Sequence, residues 1–104
     1  MNINENTKGD TLILALSGRL DSSSSKTLDD LLTDRVQKSD SVIVDFKEVQ
    51  YVSSAGLRIL LKAAKIAKGT GHKLALARLA PQIREVFDIS GFTSIFTILD
   101  ELPE

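Results

Sequence analysis

Apolar residues in this chain occur in two patterns: short unbroken runs, and longer stretches where they recur every three or four positions. Thr11-Leu12-Ile13-Leu14-Ala15-Leu16 is the first run, ending at Ser17-Gly18. A short, nearly continuous apolar run reads as a strand buried on both faces. The segment ahead of it, Asn2 to Lys8, is polar, and Lys8-Gly9-Asp10 supplies turn chemistry, which predicts an antiparallel hairpin. The serines of Asp21-Ser22-Ser23-Ser24-Ser25 would suit a linker, but Leu28, Leu31, Leu32 and Val36 follow at helical spacing. The prediction is a helix capped by Asp21 or Ser22 and running to about Gln37.

Ser41-Val42-Ile43-Val44-Asp45-Phe46 is a second β-branched run, followed by a polar connection from Lys47. Beyond Tyr51-Val52-Ser53-Ser54-Ala55-Gly56 comes the longest helical pattern. Leu57, Leu60, Leu61 and Ala64 line one face, with Ile59, Ala63 and Ile66 beside them, and Gly69-Thr70-Gly71 is the stop. Lys73 to Arg78 reads as a strand. Pro81 suits the first turn of a third helix with Ile83, Val86 and Phe87 pointing inward. Gly91 is its stop, Ile95 to Leu99 a last short strand, and the acidic tail Asp100 to Glu104 is expected to fray. Strands alternating with helices imply an α/β fold: one domain over 1–104, with a mostly parallel open sheet, an N-terminal antiparallel hairpin strand and crossover helices.

Composition narrows the function. With 13 basic and 14 acidic side chains in 104 residues, the net charge of −1 argues against a nucleic-acid partner. No apolar run approaches the ~20 residues of a membrane span, so no membrane insertion is expected and the chain reads as cytoplasmic. The absence of Cys and a single His remove thiolate and multi-His metal sites, and no cofactor motif is present. Gly69-Thr70-Gly71 ends a helix, whereas a phosphate cradle opens one. The reading is a binding module and not an enzyme.

In open α/β sheets, ligands and partners meet the carboxyl ends of the strands. Three segments arrive there: Asp21 with its serines, Lys47 to Ala55, and Leu79-Ala80-Pro81. Ser53 and Ser54 carry the most chemistry. Either hydroxyl can cap the helix, and either can be a phosphorylation site, because a helix N-terminus favours added negative charge. Ala55 and Gly56 have little bulk and would let a second protein approach the backbone. Arg58, Lys62, Lys65 and Lys68 follow with no acidic residue between Ser54 and Lys68. That row is a solvated helix face or a surface steering an acidic partner, with Ile59, Ala63 and Ile66 beside it as a partly exposed docking strip or a contact with a neighbouring helix. The acidic residues of the first helix, Asp29, Asp30 and Asp34, are given no role beyond solubility. His72 reads as an exposed turn residue, and Tyr51 and the four Phe as core or rim.

Val49-Gln50-Tyr51-Val52-Ser53-Ser54-Ala55-Gly56-Leu57-Arg58-Ile59-Leu60 resembles the signature of STAS domains, specifically the bacterial anti-sigma factor antagonists. Gly18-Arg19-Leu20-Asp21 is similar to that family's first loop, and Ile89-Ser90-Gly91-Phe92 with Ile95-Phe96 to its C-terminal segment. The resemblance implies a non-catalytic protein that binds an anti-sigma factor when unphosphorylated and leaves it when phosphorylated. It implies as partners an anti-sigma factor with GHKL-type serine kinase activity and a serine phosphatase. By position, Ser54 matches the phosphoacceptor and Asp21 the loop aspartate. The implied binding surface takes in Asp21, Ser22, Ser53, Ser54, Ala55, Gly56, Arg58, Ile59 and Lys62. Many members have Asp before the acceptor and Ser or Thr after it; here Ser53 and Ala55 stand there, so Ser53 competes as acceptor.

Two other functions fit parts of the pattern. A regulatory subunit of a membrane transporter would use the same STAS-like surface. A receiver domain phosphorylated on Asp45 would need a clustered acidic pocket for Mg²⁺, and Gly18-Arg19-Leu20-Asp21 supplies one carboxylate only. Asp45 is read instead as a strand-end residue.

Overall fold

A computed structural model describes residues 1–103. Its strands are β1 (Asn2–Lys8), β2 (Thr11–Leu20), β3 (Ser41–Val52), β4 (Lys73–Ala77) and β5 (Thr97–Leu99). The helices are α1 (Ser22–Lys38), α2 (Ser54–Thr70) and α3 (Pro81–Ile89), with a 3₁₀ turn at Phe92–Ser94. The sheet order follows the chain, β1-β2-β3-β4-β5, with β1 antiparallel to β2 and every later pair parallel. Right-handed crossovers advancing in one direction put all the helices on one face. The main core lies there: Leu12, Leu14 and Leu16 of β2 and Val42, Val44 and Phe46 of β3 meet Leu28, Leu32 and Val36 of α1, Leu60 and Ala63 of α2, and Phe87 of α3.

The opposite face carries a smaller cluster, Ile13, Ile43 and Ala77, to which no helix contributes. Burial of Ile13 and Ile43 agrees with the expectation of strands covered on both sides. The cover is the tail that was expected to fray. Leu102 packs against this cluster, and Lys8 Nζ donates to the Pro103 carbonyl at 2.7 Å, so the segment after β5 crosses the sheet back to the hairpin.

Both central strands are longer than their sequence patterns indicate. The predicted stop at Gly18 and the predicted connection from Lys47 are strand, paired Ser17 to Glu48, Gly18 to Val49, Arg19 to Tyr51 and Leu20 to Val52. Register shifts between Ala15 and Ser17 and between Gly18 and Arg19 leave β3 one residue longer than β2 at each. Such bulges turn the strand and interrupt inside–outside alternation. Lys47 and Glu48 are therefore exposed in succession before Val49 is buried again. That broken alternation is what resembled a loop.

Asp45 is correspondingly inside β3 and buried, not at its end. Arg78 was predicted as the last residue of β4 but leaves the strand with φ 56°. Its guanidinium turns back to donate to both Asp45 oxygens, at 3.0 and 2.5 Å, while the Lys47 N–H donates to Asp45 Oδ1 at 3.1 Å. His72 is also a correction. It is half-buried, with Nδ1 2.7 Å from the Val36 carbonyl near the end of α1. Val86, predicted to point inward, is 47% exposed, whereas Ile83 and Phe87 are buried as expected. Phe87, Phe92 and Phe96 pack mutually, with ring centroids 5.6–6.5 Å apart. They pin the 3₁₀ turn under α3.

Gly56 is where the sheet and α2 meet most closely. A Cβ there would lie 2.7 Å from Leu20 Cγ and 3.2 Å from the Leu20 carbonyl oxygen. Gly69 in the same helix has nothing within 4 Å of a Cβ and no positive φ. Gly56→Ala should therefore cost about 1–3 kcal/mol in urea unfolding, while Gly69→Ala should stabilise by about 0.4–1 kcal/mol. Equal effects at the two positions would refute the close contact.

Candidate functional site at the ends of the central strands

Leu20 and Val52 are paired neighbours, and each is the last residue of its strand. The next residue in each case is a helix cap: Asp21 for α1 and Ser53 for α2. The Ser53 N–H donates to the Leu20 carbonyl at 2.8 Å, extending the ladder by one bond into the caps. Two helix N-termini thus emerge side by side from adjacent parallel strands, spaced by roughly the 4.8 Å inter-strand distance at their roots.

The hydroxyls here divide into used and free. The Asp21 carboxylate accepts from the Ser23 and Ser24 N–H groups, each at 3.1 Å, and from the Ser23 hydroxyl at 2.7 Å. Ser24 Oγ accepts from the Asp21 N–H at 3.0 Å and donates to the Arg19 carbonyl at 2.7 Å, completing a capping box. Ser25 Oγ donates to the Asp21 carbonyl. The serine run is therefore a cap and not a linker. At the second helix, Ser53 Oγ accepts from the Gly56 N–H at 3.2 Å. Ser22 and Ser54, the first residue of each helix, are exposed, and their hydroxyls make no hydrogen bond to any described residue.

The Asp21 carboxylate is a persistent negative charge. The Ser23 hydroxyl first, and then the Ser24 N–H, draw its pKa down from 3.8 to about 2. Arg19 sits beside it, with Nε 3.9 Å from Asp21 Oδ2 and its guanidinium carbon 4.2 Å from the Tyr51 ring centroid. Tyr51 lies outside the core, 41% exposed.

The remaining predicted residues separate by face. At 3.6 residues per turn, Ser54, Arg58 and Lys65 follow one another along the outer face of α2. All three are exposed, and Arg58, Lys65 and Lys68 form no ion pair with the described residues. Lys62 lies toward α1, where Nζ contacts the Asp29 oxygens at 3.2 and 3.3 Å. Asp29 therefore bridges the two helices instead of serving solubility alone. Ile59 is half-buried against the main core and Ala55 is half-buried. Gly56 is buried, and the group that comes close to it within the fold is Leu20. Ala80 caps α3 with no side-chain bond, so the third predicted segment adds no polar group to the site; Gln82 of α3 instead donates to Gln50 at 3.1 Å.

Residues 2–104 match the model of the STAS domain. The chain belongs to the STAS domain family. This STAS domain is 41% identical over 88 residues to the candidate anti-sigma factor antagonist BtrV of Bordetella bronchiseptica, covering 84% of this chain and 76% of that one. It shares its fold with a candidate anti-sigma factor antagonist from Thermotoga maritima, with TM-score 0.90 at 17% identity over 96% of this chain and 87% of that one. The anti-sigma factor antagonist SpoIIAA superposes in its unphosphorylated form with TM-score 0.77 at 15% identity, over 97% and 90% of the chains. The phosphorylated form gives 0.75 at 17% identity, over 96% and 93%. The STAS domain proteins of this group are regulators and not catalysts. None of the helices described is long and apolar enough to cross a membrane.

The division of hydroxyls predicts unequal consequences for two adjacent serines. Ser53→Ala should cost about 1 kcal/mol of stability through the lost cap. Ser54→Ala should stay within about 0.5 kcal/mol, as at other surface positions; chemical denaturation separates the two. Asp21 adds a pH signature. Its pKa is depressed in the folded state, so its charge stabilises the fold above the unfolded value of 3.8, and that benefit is lost as pH falls toward about 2. Wild type should exceed Asp21→Asn in stability by a constant margin above about pH 5, shrinking between 3.8 and about 2. A margin independent of pH would show that the caps do not depend on the charge.

Proposed function

We propose that this STAS domain binds an anti-sigma factor while Ser54 is unmodified, freeing a sigma factor, and releases it when Ser54 is phosphorylated. The observation that carries this reading is the state of the Ser54 hydroxyl. It is exposed at the first position of α2 and unused by the fold, whereas Ser53 next to it is engaged as the cap. A kinase can thus take Ser54 without dismantling the helix start. In the transfer, Ser54 Oγ attacks the terminal phosphorus of kinase-bound ATP. A serine–phosphate bond forms, the anhydride breaks to leave ADP, and the hydroxyl proton passes to the kinase. The anti-sigma factor, as a GHKL-type serine kinase, would be that enzyme, and a serine phosphatase would restore the hydroxyl.

The fold tolerates the product for a physical reason. Phosphate at a helix N-terminus gains about 0.3–1 kcal/mol from the dipole, and Arg58, one turn on and unpaired, lies within the same exposed row. A docked partner has no such compensation. A group of ≈ −1.5 to −2 charge pressed against it must shed water, beside the fixed charge of Asp21. Loss of three decades in affinity corresponds to ~4 kcal/mol, within reach of that penalty. The proposed surface comprises Asp21, Ser22, Ser54, Arg58 and the exposed edges of Ala55 and Ile59. Lys62 contributes after giving up Asp29, and Ser53 and Gly56 hold the surface from beneath. The existence of SpoIIAA in phosphorylated and unphosphorylated forms of this fold supports the reading.

The test is recovery of tagged protein from its own cells with and without ATP, identification of the co-purifying protein, and titration of wild type and two variants against it. Ser54→Ala should bind regardless of ATP, and Ser54→Glu about a thousandfold more weakly. Phosphate found by mass spectrometry on Ser53 alone, or equal affinities for all three proteins, would overturn the switch. Recovery of a transporter subunit in place of a kinase would move the same surface to a different pathway.

A further inference from the structure

Between the last turns of α2, the start of β4 and the segment from Ser94 to Thr97 lies a cleft of about 740 Å³. The register of the sheet opens it. β5 first pairs opposite Ala75, two residues into β4, so Lys73 and Leu74 have no strand partner on that side. Ala67 and Phe96 are buried at the floor, Leu74 is half-buried, and Ile95 stands at the rim, 55% exposed. Lys65, Lys68 and Lys73 are exposed around the same cleft. It lies about 21 Å along α2 from Ser54, so neither place depends on the other. We propose that this cleft binds a small amphipathic carboxylate, its apolar body along Leu74, Ile95 and Phe96 and its charged group among those lysines.

The charge around the cleft is one-sided. No acidic residue lines it, and none occurs in the chain between Glu48 and Glu85 or between Asp88 and Asp100. Lys65, Lys68 and Lys73 form no ion pair with the described residues. Asp40, next to the lining residue Ser41, is 88% exposed with its carboxylate 3.7 Å from His72 Nε2, and Asp88 faces Arg84 within α3. Nor do the lysines cap α2. The Thr70 hydroxyl donates to the Ile66 and Ala67 carbonyls, and the Gly71 and His72 N–H groups donate to those of Lys68 and Ala67. Uncompensated cations around an apolar hollow match a ligand of both characters, and a volume of this order matches a small molecule. The helix end that lines the cleft is a C-terminus, without the free N–H groups that hold a phosphate. The single charge of a carboxylate therefore fits better than a phosphate ester.

The experiment is equilibrium dialysis of the full chain against labelled decanoate below its micelle concentration. Wild type should bind one decanoate per chain, and neither acetate nor decanol should compete. Lys65→Gln, Lys68→Gln and Lys73→Gln combined should weaken binding about tenfold, and Ile95→Asp about a hundredfold. Ile89→Asp, at a residue 80% exposed and outside the cleft, should bind as wild type. Melting curves establish that each variant folds. Unsaturable binding, or equal binding by all the variants, would overturn the proposal. Competition by decanol as strong as by unlabelled decanoate would also overturn it, since the lysines would then contribute nothing. The same holds for co-sedimentation with phosphatidylglycerol vesicles that decanoate does not inhibit, or for a wild-type dimer that Ile95→Asp dissociates. A membrane surface or a second copy would then be the occupant.

Discussion

The arrangement at this surface depends on the pairing of Leu20 with Val52. Because the two strands end level, their first residues beyond the sheet become helix caps side by side, and the Ser53 N–H reaches back to the Leu20 carbonyl. Gly56 completes the constraint by letting the first turn of α2 lie directly on Leu20. A side chain at Gly56 would lift the helix, lengthen the Ser53–Leu20 bond and change the distance between the two N-termini. Gly56 thus serves the interior of this protein.

Reactivity at such a site is a matter of which polar groups are left over. Asp21, Ser23, Ser24, Ser25 and Ser53 all satisfy backbone or one another. Ser54 differs from Ser53 by one residue of helical phase, which takes its hydroxyl away from the Gly56 N–H and into solvent. A phosphate added there would alter a surface and not a cap, which is what the proposed switch at Ser54 requires.

The surroundings are polarised by the same economy of pairing. Asp29 takes Lys62 and ties α1 to α2, while Arg58, Lys65 and Lys68 form no ion pair among the described residues. Surface ion pairs of this kind contribute about 1 kcal/mol or less, so the bridge matters less for stability than for what it subtracts from the exposed charge. The remaining cations lie on the side of α2 that faces solvent. On the far face of the sheet, Leu102 and the Lys8–Pro103 bond give the tail a structural task unrelated to the site.

Local patterns in the amino-acid sequence were enough for the element order, the parallel sheet with its hairpin, both helix starts and the candidacy of Ser54 and Asp21. Helical periodicity, caps and turn glycines act within about four residues, so they are readable in one dimension. The continuation of β2 and β3 through their bulges, the pairing of Asp45 with Arg78, the contact of His72 with the Val36 carbonyl and the docking of the tail were not readable. Each depends on groups far apart in the chain. The exposure of Val86 was hidden for the same reason, since it depends on where α3 rests against β3. Most tellingly, sequence placed two serines at a helix start and left open which was which. The tertiary structure separated them, because only the register of α2 on Leu20 decides which hydroxyl meets a backbone N–H and which meets water.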